Sequence, residues 1–452
     1  MPAATAPASA AARLERLPFS GYHKRIFFII AIAFFFDSVD LGTMTFVLGS
    51  IRKEFGLSTA AAGLVASASF FGMVLGAAVA GLLADRFGRR PVFQWSMVLW
   101  GAASYLCSTA QSVDALIVYR VLLGIGMGME FPVAQTLLSE FVPTEKRGRL
   151  IALMDGFWPL GFITAGVVAY FVLPQFGWRT VFALLAIPAV FVLVVRRIVP
   201  ESPRWLASRG RLPEAGRAVG VFEASVRGEL PPVTQVAAFD EMVRQHPKRK
   251  MSDLFSAAYR KRTLAVATLW ATCGFIQYGL STWLPTIYKN FYHAPLQLAL
   301  NLAVIGSVMG VFGSLASALL VDKLGRKPVI VWSFVLCALS LAFAGIYHAS
   351  SVYVVAIFCS LSLGLMASGF ITAYVYTPEQ YPTTIRASGC GLGSAWLKIA
   401  SFVAPMVVPH AIIGGNLAPA FYLIGIVPLI AAVTVHFVGI ETKGKVLEAL
   451  EA

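Results

Sequence analysis

The chain has 452 residues, of which 58% are hydrophobic and only 13% charged, with a formal net charge of +14. A soluble domain carries about 25% charged residues, so this composition excludes one and points to a bilayer as solvent. Nucleic-acid binding, the other reading of a pI near 9.7, is excluded because the charges are not gathered on one soluble module.

In chain order, residues 1–22 are Ala/Pro-rich with Arg13 and Arg16, and read as a disordered cytoplasmic tail. A cleavable signal would have its apolar core nearer the start. A spanning helix needs about 20 mostly apolar residues. Such runs fall at 23–49, 60–84, 91–110, 113–140, 150–172 and 178–199. After a polar stretch over 200–261, six more follow at 262–288, 297–321, 328–348, 351–377, 386–412 and 418–439, and 440–452 forms a second tail. None alternates with period two, which excludes a β-barrel. The predicted fold is an all-α membrane protein of twelve transmembrane helices in two six-helix bundles, 23–199 and 262–439. The stretch 200–261 is too short for a core of its own and reads as short amphipathic helices on the cytoplasmic face.

Two words recur along the chain. Asp85-Arg86-Phe87-Gly88-Arg89-Arg90 returns as Asp322-Lys323-Leu324-Gly325-Arg326-Lys327, and Glu140-x-x-Pro143-Thr144-x-x-Arg147 as Glu379-x-x-Pro382-Thr383-x-x-Arg386. The offsets are 237 and 239 residues, so the chain is two copies of one half. Two parallel halves around a midplane site are the build of a rocking transporter.

With both termini inside, the inner loops, tails and central stretch hold thirty of the thirty-six Lys and Arg; the outer loops hold Arg52, Lys53, Arg179 and Lys289. That bias predicts a multi-pass protein of the cell inner (plasma) membrane with cytoplasmic termini, and attraction to anionic lipid heads. The five cysteines lie in apolar runs without metal-ligand spacing. No nucleotide-binding Gly-x-x-x-x-Gly-Lys-Ser/Thr occurs, so ATP is not the energy source. The six His are scattered and no catalytic constellation is present, so neither an enzyme, a cofactor nor a metal is expected. A monomer is expected.

The repeated words have a physical task. Asp85, Arg86, Arg89, Arg90, Glu140 and Arg147, with their second copies Asp322, Arg326, Glu379 and Arg386, bring carboxylates and guanidiniums to the inner ends of helices. Such groups pair bidentately and respond to helix-end partial charges. They predict a cytoplasmic gate whose pairs form in one state and break in the other. The plainer alternative is topology anchoring.

Ionisable residues inside spans cost at least about 2.5–3.5 kcal/mol each at the helix centre, which makes Asp37, Asp40, Arg120, Glu130 and Lys398 functional candidates. Asp155, near an end of the fifth span, is a sixth. Asp37 and Asp40 are three apart and share a helix face. Two neighbouring carboxylates in low dielectric repel, so one can take up and release a proton near neutrality. An arginine alongside keeps its partner ionised, so the proton carrier is expected to be the carboxylate least engaged by Arg120. For Asp37, Asp40 and Glu130 the alternative is structural pairing with Arg120. Lys398 lies about twelve residues into its span, near the midplane, where snorkelling is difficult and a wet cavity is expected. Trp158, Gln277, Tyr278, Trp283, Tyr374, Tyr376 and Trp396 all fall in spans that can line such a cavity. A flat aromatic acid would stack on these rings. Packing and interfacial anchoring are the alternatives for any single ring.

Gly81-x-Leu83-Ala84-Asp85-Arg86-Phe87-Gly88-Arg89-Arg90 resembles the signature loop of the major facilitator superfamily, and the resemblance covers the whole chain. Arg120-x-x-x-Gly124-x-Gly126-x-Gly128 is similar to the superfamily's helix-4 motif. Pro200-Glu201-Ser202-Pro203-Arg204-Trp205-Leu206 resembles the loop shared by sugar porters and organic-ion carriers, which adds Glu201 and Arg204 to the gate set. Sugar porters carry Gln and Asn in helices 5 and 7 and a Gly-Pro-x-x-Trp in helix 10. Here span 5 reads Met154-Asp155-Gly156-Phe157-Trp158-Pro159, span 7 has Gln277 alone, and span 10 ends Tyr374-Val375-Tyr376-Thr377-Pro378-Glu379. That ending, running on to Arg386-x-x-Gly389, resembles organic-anion and organic-cation carriers. Asp37-x-x-Asp40 resembles aromatic-acid/proton symporters, and Gly128-Met129-Glu130-Phe131-Pro132 bacterial nicotinate permeases. The resemblance to organic-anion carriers aligns Lys398 with their helix-11 cation and implies a carboxylate-binding role.

The resulting expectation is a proton-coupled carrier importing a small organic acid, aromatic in character and nicotinate- or benzoate-like, by alternating access. Its partners are that acid, protons and lipid, with no nucleic acid. The alternatives are an organic-cation or sugar/polyol proton symporter and, from another class, a non-transporting membrane sensor on the same fold.

Overall fold

The computed structural model describes residues 10–142, 150, 153–154, 156–226, 230, 251–381, 383–412 and 414–443. Arg147 and Asp155 lie outside the described residues, as do the side chains of Asp322 and Arg386. The long elements are α1 (Gly21–Glu54), α2 (Thr59–Phe87), α3 (Arg89–Thr109) and α4 (Val113–Phe141), then α5 and α6, the two arms of Phe157–Ile198. In the second half they are α7 (Arg260–Ser281, extended by Leu284–Asn290), α8 (Leu296–Leu324), α9 (Arg326–Ile346), α10 (Val352–Glu379), α11 (Thr383–Val407) and α12 (Ala418–Val438).

Ten segments among the described residues are long and apolar enough to cross a membrane. One of them, Phe157–Ile198, has 42 residues and turns at Gly177 (φ 77°, ψ 173°), so it holds two spans. α3 is less apolar because it opens on Arg89, Arg90 and Gln94, yet its 21 residues suffice to cross and bring the spans to twelve. In each half the first helix packs on the fifth, the second on the fourth and the third on the sixth.

Lipid is as apolar as leucine, so these helices associate through close backbone approach and not through hydrophobic burial. At the α2–α4 contact a Cβ on Gly72 would lie 2.1 Å from the Val121 carbonyl oxygen, and one on Gly124 2.0 Å from that of Ser69. The described contacts between halves lie at mid-depth or on the face away from the repeated loops. There Gln297 of α8 donates to the Tyr170 carbonyl at 3.2 Å, and the Phe70 and Phe71 rings of α2 meet Tyr278 and Phe402 at 4.4 and 5.8 Å.

The expected disordered tail over 1–22 needs correction. Ala10–Glu15 is helical, and Leu14 and Leu17 are buried. The cause is a clamp: Arg13 meets Glu223 of the linker helix Leu212–Ala224 at 2.5 and 3.0 Å, and Arg16 meets it at 2.9 Å. A second linker helix, Pro203–Ser208, packs beside it through Trp205 and Leu206. Residues 1–9 and most of 227–250 lie outside the described residues.

Candidate functional site

Among the described residues, four intramembrane charges come from the first half and one from the second. Asp37, Asp40, Arg120 and Glu130 are buried on α1 and α4, and Lys398 is 8% exposed on α11. Their partners divide them. Arg120 Nη2 donates to Ser69 Oγ at 2.8 Å, and Nη1 lies 3.9 Å from Asp40 Oδ1. The guanidinium also lies over the Phe182 ring of α6 at 5.9 Å. The glycine contact of α2 with α4 brings Ser69 and Arg120 together, so a packing motif sets an electrostatic pair.

Glu130 does not pair with Arg120, the structural alternative raised above. Ten residues along one helix separate them by about 15 Å, and Trp100 Nε1 donates to Glu130 Oε2 at 2.8 Å instead. Asp37 Oδ1 has no hydrogen-bond partner among the described residues. The charges that act on Asp37 are those of Glu130, Asp40 and Lys398, and Asp37 acts in turn on Lys398. Lys398 Nζ sits 5.2 Å from the centre of the Phe131 ring of α4. This lysine of the second half therefore lies over an aromatic ring of the first and within electrostatic range of Asp37, without forming an ion pair with it, and its surroundings form only when the halves meet.

The aromatic candidates separate into three groups. Trp158 and Tyr278 flank the Phe162 ring at the seam, at 6.4 and 6.3 Å, with Phe34 against Trp158 and Phe70 against Tyr278. Gln277 beside them is partly exposed. Tyr374 is partly exposed and packs edge-on against Trp270 at 4.8 Å in the second half. The remaining three are corrections. Trp283 is 1% exposed and donates to the Pro405 carbonyl at 3.3 Å, which makes it part of the seal on the far face. Tyr376 is fully buried, with its hydroxyl packed where a Cβ of Gly439 would be, so it belongs to the inner core of the second bundle. Trp396 shares an exposed apolar stripe with Ile399, Val403 and Val407. Two residues from Lys398 is roughly 200° around a helix, so Trp396 faces lipid.

The residues expected at the gate form two matched ion-pair clusters, each within its own half. Arg89 meets Asp85 at 2.8 Å and Glu140 at 3.4 Å, and the backbone N–H groups of Arg89 and Arg90 donate to Glu201 Oε1 at 3.0 and 3.3 Å. In the second half Arg326 meets Glu379 at 3.2 Å, and the N–H groups of Arg326 and Lys327 donate to Glu441 at 3.1 and 2.9 Å. Gly88 and Gly325 have φ of +106° and +105°, and a Cβ at either would run into that glutamate, at 2.2 and 2.8 Å. Burial pushes the Glu201 carboxyl up from the ordinary glutamate value, against the N–H groups of Ser202, Arg90 and Arg89. Arg86 lies over Phe87, and Arg204 sits on the linker helix Pro203–Ser208. Glu441 was not among the sequence candidates. Its signal was the repeat itself, since it follows Glu201 by 240 residues.

The model of the sugar (and other) transporter family matches residues 26–452. The chain belongs to that family. Its fold is that of the major facilitator superfamily: the partially occluded inward-open xylose transporter of E. coli superposes with a TM-score of 0.78 at 20% identity, over 94% of this chain and 100% of that one. Among relatives, the niacin transporter of Acinetobacter baylyi is 34% identical, covering 97% of this chain and 98% of its own. A putative niacin/nicotinamide transporter of Bacillus subtilis is 30% identical over 94% and 98%. The 4-hydroxybenzoate transporter of A. baylyi is 30% identical over 86% and 84%. The chain is thus a multi-pass membrane transporter of a small solute. The family's name covers sugars and other solutes alike and does not choose between them.

Proposed function

We propose that this protein imports a small aromatic carboxylate, nicotinate- or benzoate-like, together with protons. The face bearing the repeated loops is the cytoplasmic one in this reading, since thirty of the thirty-six basic residues belong to it or to the tails. The observation that carries the proposal is the position of Lys398. It is an ammonium at mid-depth, over the Phe131 ring and within the field of Asp37. An aromatic acid matches that pair of features, with its ring against aromatic faces and its carboxylate against the ammonium. The niacin and 4-hydroxybenzoate carriers among the relatives support the same class.

Coupling then follows from charge balance. Asp40 is held by Arg120 and stays a structural anion. Among the described residues Lys398 is the cation whose charge acts on Asp37, which has Glu130 nearby. A substrate carboxylate arriving at Lys398 replaces Asp37 as its counter-ion, and a proton on Asp37 removes the leftover repulsion. Loaded with both, the site is neutral enough for the halves to rock around it; loaded with one, it is not. An acid anion and one proton carry no net charge across together, so the pH difference drives accumulation, at about 1.4 kcal/mol for each tenfold difference in proton concentration.

The test compares an acid with its uncharged amide, on wild type and on Lys398→Ala. The variant is expected to weaken acid binding several-fold or more, in line with about 1.5–3 kcal/mol for a hydrogen bond to a charged group, and to spare the amide. Equal losses for both ligands would reduce Lys398 to internal charge balance. An organic-cation carrier, as one relative of Arabidopsis thaliana is described, would instead be competed by quaternary amines and would ignore the acid. A sensor would bind ligand yet show no uptake in proteoliposomes.

A further inference from the structure

On the face away from the repeated loops, a depression of about 270 Å³ straddles the seam between the halves. Its walls carry Arg52, Lys53 and Leu57 from the first half and Lys289 and Asn290 from the second. Arg52 and Lys53 lie in the last turn of α1, and Lys289 in the last turn of Leu284–Asn290. Among the described residues none of these three cations has a carboxylate at ion-pair distance; the neighbouring Glu54 is committed to Arg179 at 2.5 Å and Trp178 at 2.7 Å. Arg52 is fixed by donating Nε to the Leu57 carbonyl at 3.2 Å, and the charge of Lys53 acts on Lys289 across the seam.

A cation in a helix's last turn complements its macrodipole, which accounts for each residue alone. It does not account for three of them, from two halves, meeting in one concavity. They meet on the face whose loops hold only four of the thirty-six basic residues. Like charges across a closed seam repel, and a concave wall of one sign concentrates anions. We propose that this depression is a peripheral anion-binding site that captures a small organic carboxylate before the seam opens on that face. The carboxylate class rests on the substrate reading above.

The experiment uses the full-length transporter in phosphatidylcholine nanodiscs, and follows acetylation of Lys53 and Lys289 by an amine-reactive ester with mass spectrometry. Benzoate at a few times its dissociation constant is expected to slow both sites about threefold or more by mass action, and benzamide to leave them unchanged. Arg52→Gln should remove the protection at Lys289, whereas Lys398→Ala should keep it. Identical rates with benzoate and benzamide overturn the proposal. So does protection by phosphatidylglycerol nanodiscs with no further effect of benzoate, which would make this a lipid-headgroup site. Protection that disappears in Lys398→Ala also overturns it, since the peripheral site would not be separate. If benzoate protects these lysines but is never accumulated, the substrate reading fails while the peripheral site stands.

Discussion

Arg120 lies 3.9 Å from Asp40, whereas Asp37, one turn earlier on the same helix, shares its surroundings with Lys398 of the other half. Two carboxylates that look equivalent along α1 therefore have counter-ions of different kinds. One is fixed within a bundle, and the other depends on how the bundles meet.

That difference predicts unlike phenotypes. Asp37→Asn should abolish uphill uptake under an imposed pH gradient while exchange of substrate across the membrane partly survives. Asp40→Asn should instead destabilise the protein, because removing one partner of a buried ion pair costs about 3–5 kcal/mol. Proteoliposome accumulation and thermal unfolding read the two outcomes. Asp37→Asn that still accumulates substrate in response to the gradient would move the proton site elsewhere.

The latches make a second prediction. Glu201→Gln and Glu441→Gln should each loosen one half's latch, shifting cysteine accessibility on the far face and slowing turnover, with ligand affinity little changed. Gly88→Ala should act like Glu201→Gln, since its backbone conformation is nearly glycine-only and costs about 1–3 kcal/mol for other residues. Asp85→Asn should do little. Its side chain is 71% exposed in an i,i+4 pair with Arg89, worth about 0.3–0.5 kcal/mol, and Trp205 and Arg209 bond its carbonyl, which the substitution keeps. A strong Asp85→Asn effect beside a silent Glu201→Gln would reverse this assignment.

The tail clamp depends on pH. The Arg13 hydrogen bond, with Arg16 helping, holds the Glu223 carboxyl below the ordinary glutamate value. A lowered carboxylate pKa contributes stability that is present above the unfolded value and is lost as pH falls through the folded one. The helix Ala10–Glu15 should therefore stay docked at neutral pH and release on acidification, and Glu223→Gln should release it at every pH. Tryptic cleavage after Arg13 and Arg16 measures docking; cleavage unaffected by Glu223→Gln would show that Leu14 and Leu17 suffice.

Two tryptophans give a paired control. Trp158→Ala should weaken aromatic-acid binding, because its ring joins Phe162 and Tyr278 in the aromatic cluster at the seam. Trp396→Ala, on the lipid stripe with Ile399 and Val403, should leave binding unchanged. Calorimetric titration of both variants decides the matter, and equal losses would put Trp396 back in the cavity.

The sequence by itself determined the two-copy architecture, the membrane solvent and the pairing of latch words, because these follow from apolar run length and from repetition at a nearly constant offset. It even contained Glu441, since a residue 240 positions after Glu201 inherits the same task in the second copy. What only the tertiary structure decided is which face of each helix looks inward. In water the apolar stripe of a helix marks its buried side. In a bilayer, lipid and protein interior are equally apolar, so Trp396 and Lys398 on α11 carry no periodic label saying which one meets the cavity. Nor does spacing reveal that Arg120 reaches Asp40 and not Asp37. That choice is made by the glycine-mediated approach of α2 to α4, which seats Arg120 against Ser69, and by the crossing of α1 beside them.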